Sequence, residues 1–267
     1  MMPFLDVGRA GAVVTVRLNR PEEHNALTDP AQMQEFSDVC ASLRADQSVR
    51  AVILTGAGAS FCAGGNIKHM QDRSGMFAGS PYALRNNYRD GIQRIPLALY
   101  ELEVPVIAAI NGAAIGAGLD LACMCDIRIA ANGARFAESF VKLGIIPGDG
   151  GAWLLPRVIG LPRATLMALT GDTIDCATAL EWALITSSVP AEELLPAAQA
   201  VAERIAANPG HAVRLTKRLL REGQNMRLDS LLELSAAYQA LSHHTDEHAV
   251  AVAAFMQAQA TRTRSRT

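Results

Sequence analysis

The stretch from Ile107 to Asp126, IAAINGAAIGAGLDLACMCD, constrains the fold more than any other part of the chain. Its apolar start belongs to a run, Val104 to Ile110, that is typical of a buried strand. The small residues that follow let the backbone approach another segment closely as a helix begins. Asp120 comes three residues after Ala117, so a carboxylate is predicted beside the unpaired amides of the helix start. This arrangement suits stabilisation of an oxyanion while a proton moves nearby. The alternative is a tightly packed junction in which Asp120 is only a helix-start acid.

Length and composition limit the possible classes of protein. The 267 residues are enough for one large α/β domain, alone or with a helical appendage. A net charge of −2 gives no overall attraction to nucleic acid or to an anionic membrane. No signal peptide is evident, and no apolar run reaches the roughly 18–20 residues that span a bilayer. We therefore expect a cytoplasmic protein with neither nucleic acid nor membrane as a partner. The five cysteines lie among apolar residues without zinc-like spacing, which predicts reduced, buried thiols and no metal site.

Strands and helices are predicted to alternate and then to give way to helices alone. Residues 1–200 are assigned to an α/β core, and residues 201–267 to a C-terminal helical region with a frayed basic tail. The sequence predicts a hairpin with its turn at Gly8–Gly11, a helix from Pro30 to about Leu43, a strand at Val49–Leu54 and one helix over Tyr82–Glu103.

A second glycine-rich turn, Thr55 to Asn66, also leaves a strand and enters a helix. Two such turns can face each other across one cleft and aim backbone amides at the same oxygen. Neither turn has the P-loop pattern or the dinucleotide-binding G-x-G-x-x-G pattern, and the chain has no G-x-S-x-G motif. A P-loop protein and an α/β-hydrolase are therefore disfavoured.

Taken together, these residues resemble the crotonase superfamily, the enoyl-CoA hydratase/isomerase family. The resemblance covers nearly the whole chain through short motifs in the family's order and spacing. These motifs are residues 19–21 with 25–27, 61–67, 105–112, 116–126, 135–136, 147–151 and 169–171. The resemblance implies a crotonase-like fold of spiralling β-β-α units with C-terminal helices used in trimer contacts, often in a dimer of trimers. It also implies a CoA thioester substrate and no metal or redox cofactor.

The resemblance implies an oxyanion hole and an acid pair, and the pair is incomplete here. Ala63 and Ala117 occupy the positions of the two oxyanion-hole amides. Asp120 occupies the position of the first of two acids of a typical hydratase, whereas Phe140 occupies that of the second. The surrounding sequence looks more like members that isomerise CoA-linked double bonds or epoxides, such as the phenylacetate-pathway isomerase branch. Those members carry an Asp directly after the residue that matches Pro147.

Three acids therefore compete for the role of proton carrier. Asp149 lies one place later than the isomerase Asp, because Gly148 takes that position. Its alternative reading is a turn-forming Asp. Glu138 is the third candidate, with a surface or subunit-interface acid as its alternative. A free Asp has a pKa near 3.9, so an effective base at neutral pH needs burial to raise it.

The resemblance also implies residues that contact coenzyme A. His24 and Lys68 are candidate partners of the nucleotide phosphates, with ordinary surface charge as the alternative. The remaining candidates for the CoA and substrate path are Ala26, Ala63, Gly64, Gly65, Asn66 and Phe140.

The leading hypothesis is an acyl-CoA enzyme that works through an enolate, with isomerisation slightly favoured over hydration because Phe140 replaces an acid. One alternative is a true hydratase that uses Asp120 with Asp149 or Glu138. Another is a hydrolase of a thioester or carbon–carbon bond on the same fold. A family member that only binds RNA or serves in assembly is the non-enzymatic alternative, and the acidic balance disfavours RNA.

Overall fold

The computed structural model describes residues 3–264, which form two β-sheets flanked by α-helices. The strands are β1 (Leu5–Ala10), β2 (Val13–Leu18), β3 (Ala51–Gly56), β4 (Ser60–Cys62), β5 (Val106–Ile110), β6 (Ala113–Ile115), β7 (Ile127–Ala131), β8 (Arg135–Ala137), β9 (Thr173–Asp175) and β10 (Ser187–Val189). The helices are α1 (Pro30–Ala45), α2 (Ile67–Gln71), α3 (Pro81–Asn87), α4 (Arg94–Glu101), α5 (Ala117–Met124), α6 (Gly151–Ile159), α7 (Leu161–Thr170), α8 (Cys176–Glu181), α9 (Leu194–Ala206), α10 (Gly210–Glu222), α11 (Leu228–His243) and α12 (Asp246–Arg264).

The two sheets are built by a repeating spiral. The larger sheet has the order β1-β2-β3-β5-β7-β10, and the smaller has the order β4-β6-β8-β9. Each turn of the chain adds one strand to each sheet, first β3 and β4, then β5 and β6, then β7 and β8. Strands from successive turns pair in parallel in both sheets. The first two turns each continue into a helix, α2 and α5. This is the spiral of β-β-α units that the sequence resemblance implies.

The central strands of the larger sheet are buried on both faces. All five residues of β5 are buried, as are five of the six residues of β3. Continuous apolar runs such as these are typical of parallel strands that are covered on both sides. Helix α9 covers one face through Leu194, Ala198 and Ala202, which recur every four residues. The domain boundary that we predicted at residue 200 therefore lies inside a helix of the core, and the separate helical region begins after α9.

The first hairpin turns two residues later than predicted. Strand β1 continues through Gly8, and Ala10 pairs with Val13 across a two-residue turn. Gly11 has φ = 61°, as tight hairpin turns require. The prediction was wrong because glycine at position 8 looked like a turn residue, yet it lies within the strand.

The helix predicted over Tyr82–Glu103 is interrupted. It divides into α3, a π-helical turn at Tyr88–Ile92 and α4, with non-helical angles at Gly91. Pro96 supplies a physical reason, because a proline lacks the amide that would bond Ile92 and its ring crowds that carbonyl. The interruption also affects the loop before α6, because the Tyr88 ring of the π-helical turn lies against Gly148.

The structure bears on the predicted state of the cysteines and on the search for a membrane-spanning segment. All five cysteines are free and buried, as predicted. A helix capable of crossing a membrane is not found within residues 3–264.

The C-terminal helices attach to the core through buried cations on α10. Lys217 Nζ lies 2.7 Å from Asp126 Oδ2 and donates to the carbonyl of Val104 at 2.7 Å. Arg221 pairs with the other Asp126 oxygen at 3.0 Å. Asp126 also accepts a hydrogen bond from the amide of Val106. One carboxylate thus links α10 to the start of the buried strand β5.

Helices α11 and α12 present large apolar side chains to solvent, including Leu228, Leu232, Val250 and Phe255. The trimer contacts implied for this region stay a prediction. Helix α12 continues through Arg264, so the residues predicted as a frayed tail begin as helix. Arg266 lies outside the described residues.

Replacing Asp126 by Ala is expected to lower the free energy of unfolding by about 3–5 kcal/mol, because the buried ammonium of Lys217 would be left without a counter-charge. The Lys217 side chain is only 7% exposed. Urea unfolding at a constant m-value measures the loss. The matched control is Asp172→Ala, whose ion pair with Lys142 is 3.6 Å long and exposed, and which should cost less than about 1 kcal/mol. Equal losses in the two variants would contradict this account.

Candidate active site

The two glycine-rich turns meet at the start of α5. A Cβ atom on Gly118 would lie 1.9 Å from the carbonyl oxygen of Cys62, which no side chain could tolerate. A Cβ atom on Gly64 would lie 2.6 Å from the carbonyl oxygen of Ile115 and 3.3 Å from the amide nitrogen of Ala117. The absence of side chains therefore allows the first turn of α5 to pack directly against the end of β4. The close backbone approach predicted from the sequence is confirmed.

The two predicted oxyanion-hole amides are in different states. Within residues 3–264 the Ala117 amide, the first of α5, has no hydrogen-bond acceptor, as is usual for the first amides of a helix. The Ala63 amide donates to the carbonyl oxygen of His24 at 3.0 Å. His24 and Asn25 both have left-handed backbone angles, which turn the chain back toward Ala63. The Ala63 amide is therefore already paired within the protein, whereas the Ala117 amide is not, and the role of both as oxyanion-hole donors stays a prediction.

Asp120 and Glu138 form a buried pair of carboxyl groups. They are 0% and 1% exposed. Asp120 Oδ2 accepts a hydrogen bond from the Gly151 amide at 3.0 Å. A Cβ atom on Gly151 would lie 2.2 Å from Asp120 Oδ1 and 2.3 Å from Glu138 Oε1. These two carboxyl oxygens are therefore close neighbours, and both lie against Gly151. Apart from each other, these oxygens and Glu138 Oε2 have no hydrogen-bond partner among the described residues.

Both acids of this pair resist ionisation. Burial raises the pKa of Asp120 well above its usual value, and the charges of Glu138 and Asp149 raise it further. Burial also raises the pKa of Glu138 to about 8, although a hydrogen bond with Asp120 opposes the shift. Because two carboxylates this close cannot both be charged, the pair holds at least one proton at neutral pH. Asp120 does lie in the first turn of α5, as the helix-start alternative expected, but it also faces Glu138. The burial of Glu138 contradicts a surface position for that acid.

Asp149 is the acid that reaches an open cavity. It precedes α6, is 3% exposed and lines a cavity of about 520 Å³. Asp120 and Glu138 are not among the residues that line this cavity. Burial raises the pKa of Asp149 to about 6, opposed by hydrogen bonds from its own amide and that of Gly148. Its position one residue later than the isomerase Asp therefore still places it at the cavity.

Two residues that the sequence did not reveal position the loop that carries Asp149. Gln93 Nε2 donates to the carbonyl of Gly148 at 2.7 Å. The Tyr88 ring lies against Gly148, since a Cβ atom there would be 2.9 Å from Tyr88 Cε1. Burial raises the pKa of Tyr88, and the charge of Asp149 raises it further. Both side chains come from the π-helical turn and its end, and no motif in the sequence marked them.

The candidate phosphate contacts lie on the surface. His24 and Lys68 are both exposed. His24 Nδ1 lies 3.2 Å from the hydroxyl oxygen of Ser60, which fixes the ring beside the Ala63 turn. Exposure leaves both side chains accessible to a ligand, and equally fits ordinary surface charge.

The other predicted CoA contacts already make hydrogen bonds within the protein. The Ala26 amide donates to Glu23, and its carbonyl accepts from Gln32 Nε2 at 3.1 Å. The Gly64 carbonyl accepts from the amide of Leu27 at 2.8 Å, and Asn66 Oδ1 caps α2 at 3.0 Å. The half-buried Gly65 lies between these last two residues. These residues shape the first glycine-rich turn, whether or not a ligand contacts them.

Phe140 lies where the resemblance places the second acid of a hydratase. Its ring would be 3.5 Å from a Cβ atom on Gly116, the residue before α5. The side chain is half-buried and packs against the core. An apolar ring therefore borders the turn before α5, at the position where the resemblance places the second acid of a hydratase.

The chain is similar along most of its length to one protein family and to several named proteins. The family model described as enoyl-CoA hydratase/isomerase matches residues 8–262. A 1,2-epoxyphenylacetyl-CoA isomerase of Escherichia coli (strain K12) is 36% identical over 257 residues, which cover 96% of each chain. A crotonyl-CoA hydratase of Syntrophomonas wolfei is 36% identical over 241 residues, 90% of each chain.

Solved structures agree with these matches. The crystal structure of an enoyl-CoA hydratase from Bacillus anthracis superposes with a TM-score of 0.88 at 34% sequence identity. The match covers 95% of this chain and 96% of that chain. A likeness of this extent confirms the crotonase fold that the sequence predicted. On this fold and these matches, the chain belongs to the enoyl-CoA hydratase/isomerase family.

Proposed function

We propose that this enzyme moves the double bond of an enoyl-CoA thioester, with Asp149 as the group that carries the proton. The observation that supports this most strongly is the division among the three acids. Asp149 lines the cavity, whereas Asp120 and Glu138 face each other beside Gly151. Isomerisation needs one group that takes a proton from one carbon and returns it to another. Hydration needs a second group to activate water, and Phe140 stands in its expected place.

The proposed reaction begins with the thioester oxygen at the start of α5. There the Ala117 amide and the positive end of the helix dipole would stabilise negative charge. The Ala63 amide would contribute less, because the carbonyl of His24 already accepts its hydrogen. Asp149 would remove a proton from the carbon next to the thioester or from the carbon beyond the double bond. The electrons would move onto the thioester oxygen as an enolate.

The second step would return a proton from Asp149 to the other end of the conjugated system, after the proton on Asp149 has had the chance to exchange with solvent in the cavity. The enolate would collapse to the thioester, the double bond would shift, and Asp149 would be ionised again, so no atom is gained or lost. A pKa of about 6 suits this work, because the carboxylate is ionised at neutral pH yet basic enough to take a proton. The proton held between Asp120 and Glu138 would limit that pair to a single negative charge behind the Gly151 amide.

Hydration is the second candidate, and one observation favours it. Asp120 and Glu138 lie as close together as two acids that share one water would need to be. A hydratase would use Asp120 with Glu138 or with Asp149. The names of similar proteins divide in the same way, since one is an isomerase and another a hydratase. The burial of Asp120 and Glu138 away from the cavity favours isomerisation.

The remaining features of this proposal concern the ligand and the assembly. His24 and Lys68 would meet the nucleotide phosphates of the substrate, because both are exposed cations or potential cations beside the first glycine-rich turn. The exposed apolar faces of α11 and α12 would form contacts in a homotrimer or a dimer of trimers. A cytoplasmic location and the absence of a further cofactor stay predictions.

Product analysis in isotopic water tests the reaction type. We expect 3-enoyl-CoA and 2-enoyl-CoA esters to interconvert in D₂O with deuterium gained at carbon, and no ¹⁸O to enter in H₂¹⁸O. Asp149→Asn should lower kcat by about 10²–10⁴, because it removes the proton carrier. Asp120→Asn is the matched control. Its amide can still accept from Gly151 and donate to Glu138, so most of the activity should remain.

A water adduct that carries ¹⁸O would instead establish hydration, and free CoA would establish thioester hydrolysis. A loss in Asp120→Asn as large as that in Asp149→Asn would contradict the assigned proton carrier.

The pH dependence tests the ionisation state of Asp149. Because the carboxylate is the active form and burial raises its pKa to about 6, kcat/KM should fall as the pH falls through about 6. An unshifted Asp would hold activity down to about pH 4. Glu138→Gln imitates the protonated Glu138 and should leave this acidic limb in place. An acidic limb near pH 4, or one that moves in Glu138→Gln, would show that another group controls the rate.

The Ala117 amide can be removed without deleting the helix. Ala117 is the first residue of α5, a position that tolerates proline. Ala117→Pro should therefore lower kcat by about 10²–10³ while the thermal unfolding midpoint stays near that of the parent. Ala117→Gly keeps the amide and should keep the activity. A fully active, folded Ala117→Pro protein would exclude this amide as the oxyanion donor.

A further inference from the structure

The cavity beside Asp149 ends at a wall that it shares with a larger cavity. Four residues line both spaces, namely Tyr100, Met124, Trp153 and Leu154. The larger space has a volume of about 770 Å³ and lies against α9 and α10, where Ile205, Val213 and Leu220 contribute apolar surface. We call the first space the inner cavity and the second the outer cavity. These four residues therefore lie between the two cavities or at their common border.

Two aromatic rings form the centre of this wall. Tyr100 and Trp153 meet edge to face, with ring centroids 5.7 Å apart and planes at 84°. They are 36% and 39% exposed even though they pack against each other. This exposure fits a partition that has open space on both sides.

A cation supports each ring. The Arg157 guanidinium lies 3.9 Å from the Trp153 ring centroid, and that of Arg221 lies 5.2 Å from the Tyr100 centroid. Arg221 is fixed in turn by Asp126 at 3.0 Å. The pair is therefore held from both sides, and its rings have well-defined positions.

The inner cavity suits the end of an acyl group rather than a polar ligand. Leu97, Pro96 and Leu154 line it, while Asp149 supplies its one carboxylate. Trp153 lies in the first turn of α6, close behind Asp149 in the chain. An acyl chain whose reacting carbons meet Asp149 would therefore reach the aromatic wall after a limited number of further carbons.

We propose that the Tyr100–Trp153 pair sets the acyl-chain length that this enzyme accepts. This inference rests on the proposed function, since it takes Asp149 as the point at which the acyl group reacts. Substrates with short acyl groups fit within the inner cavity. Longer chains collide with the wall, although the outer cavity beyond it has space and apolar surface to hold them.

A series of enoyl-CoA esters from C4 to C16 tests the wall. Each methylene that enters apolar space is expected to raise kcat/KM about fourfold, and in the parent enzyme this gain should stop or reverse within the series. Trp153→Ala opens the inner cavity into the outer one, so its gain should continue over at least four more carbons. Trp153→Phe keeps an aromatic wall and should keep the parent's limit. Tyr100→Ala is the second opening variant, should Trp153→Ala fail to fold.

Binding of saturated acyl-CoAs, measured by calorimetry on the same proteins, separates this inference from the proposed reaction. A length limit in Kd that Trp153→Ala or Tyr100→Ala relieves supports the wall even if no ester is turned over. Failure of catalysis would then concern the proposed function alone. The inference is overturned if folded Trp153→Ala and Tyr100→Ala both keep the parent's limit, or if the parent shows no limit up to C16.

Discussion

The close approach of α5 to the end of β4 is the contact on which the site depends. With only 1.9 Å between the Cys62 carbonyl oxygen and the place where a Gly118 Cβ would be, the two backbones leave no room for a side chain. That approach exposes the Ala117 amide at the helix start and places Asp120 one turn further along. Gly151 repeats the principle, because the missing side chain lets the start of α6 reach Asp120. Three backbone segments thus converge because glycine occupies each crowded position.

This convergence has an electrostatic consequence. Burying a carboxylate without compensation is costly, and the Gly151 amide compensates only one of the four oxygens of Asp120 and Glu138. Retaining a proton between the two groups removes most of that cost, because one oxygen then donates to the other. The protonated pair is therefore a condition for the packing, besides any part in catalysis. Asp149, which faces the cavity and has the smaller upward pKa shift, is left as the acid that can ionise near neutral pH.

The sequence predicted those features that arise from local patterns. Apolar runs marked β3 and β5, and small residues marked the contact between Gly118 and β4. The start of α1 at Pro30 was also predicted, and Asp29 before it accepts from the Ala31 amide as a helix cap should. These features depend on residues that lie next to one another in the chain, so their signals survive without tertiary information.

The features that the sequence missed depend on distant segments. The carbonyl of His24 occupies the Ala63 amide because the chain turns back through left-handed angles, and no motif encodes that contact. Glu138 was named as a candidate proton carrier, but the sequence did not reveal that it pairs with Asp120, which lies 18 positions earlier in the chain. Gln93 reaches Gly148 only because the helix breaks before it. A resemblance to a family assigns roles to positions in the sequence. Which hydrogen-bond donors and acceptors are already paired depends on how the folded chain packs.

Arg221 connects the two parts of the molecule that the sequence separates. On one side its guanidinium pairs with Asp126, beside the buried Lys217, and so helps to attach α10 to the start of β5. On the other side it lies over Tyr100 and donates to the carbonyl of Leu99 at 3.0 Å, which steadies the wall of the inner cavity. A displacement of α10 would therefore disturb both the Tyr100–Trp153 wall and the attachment of α10 to the start of β5 through Asp126. The C-terminal helices thereby bear on the shape of the cavity beside Asp149, although no residue of α10 lines it.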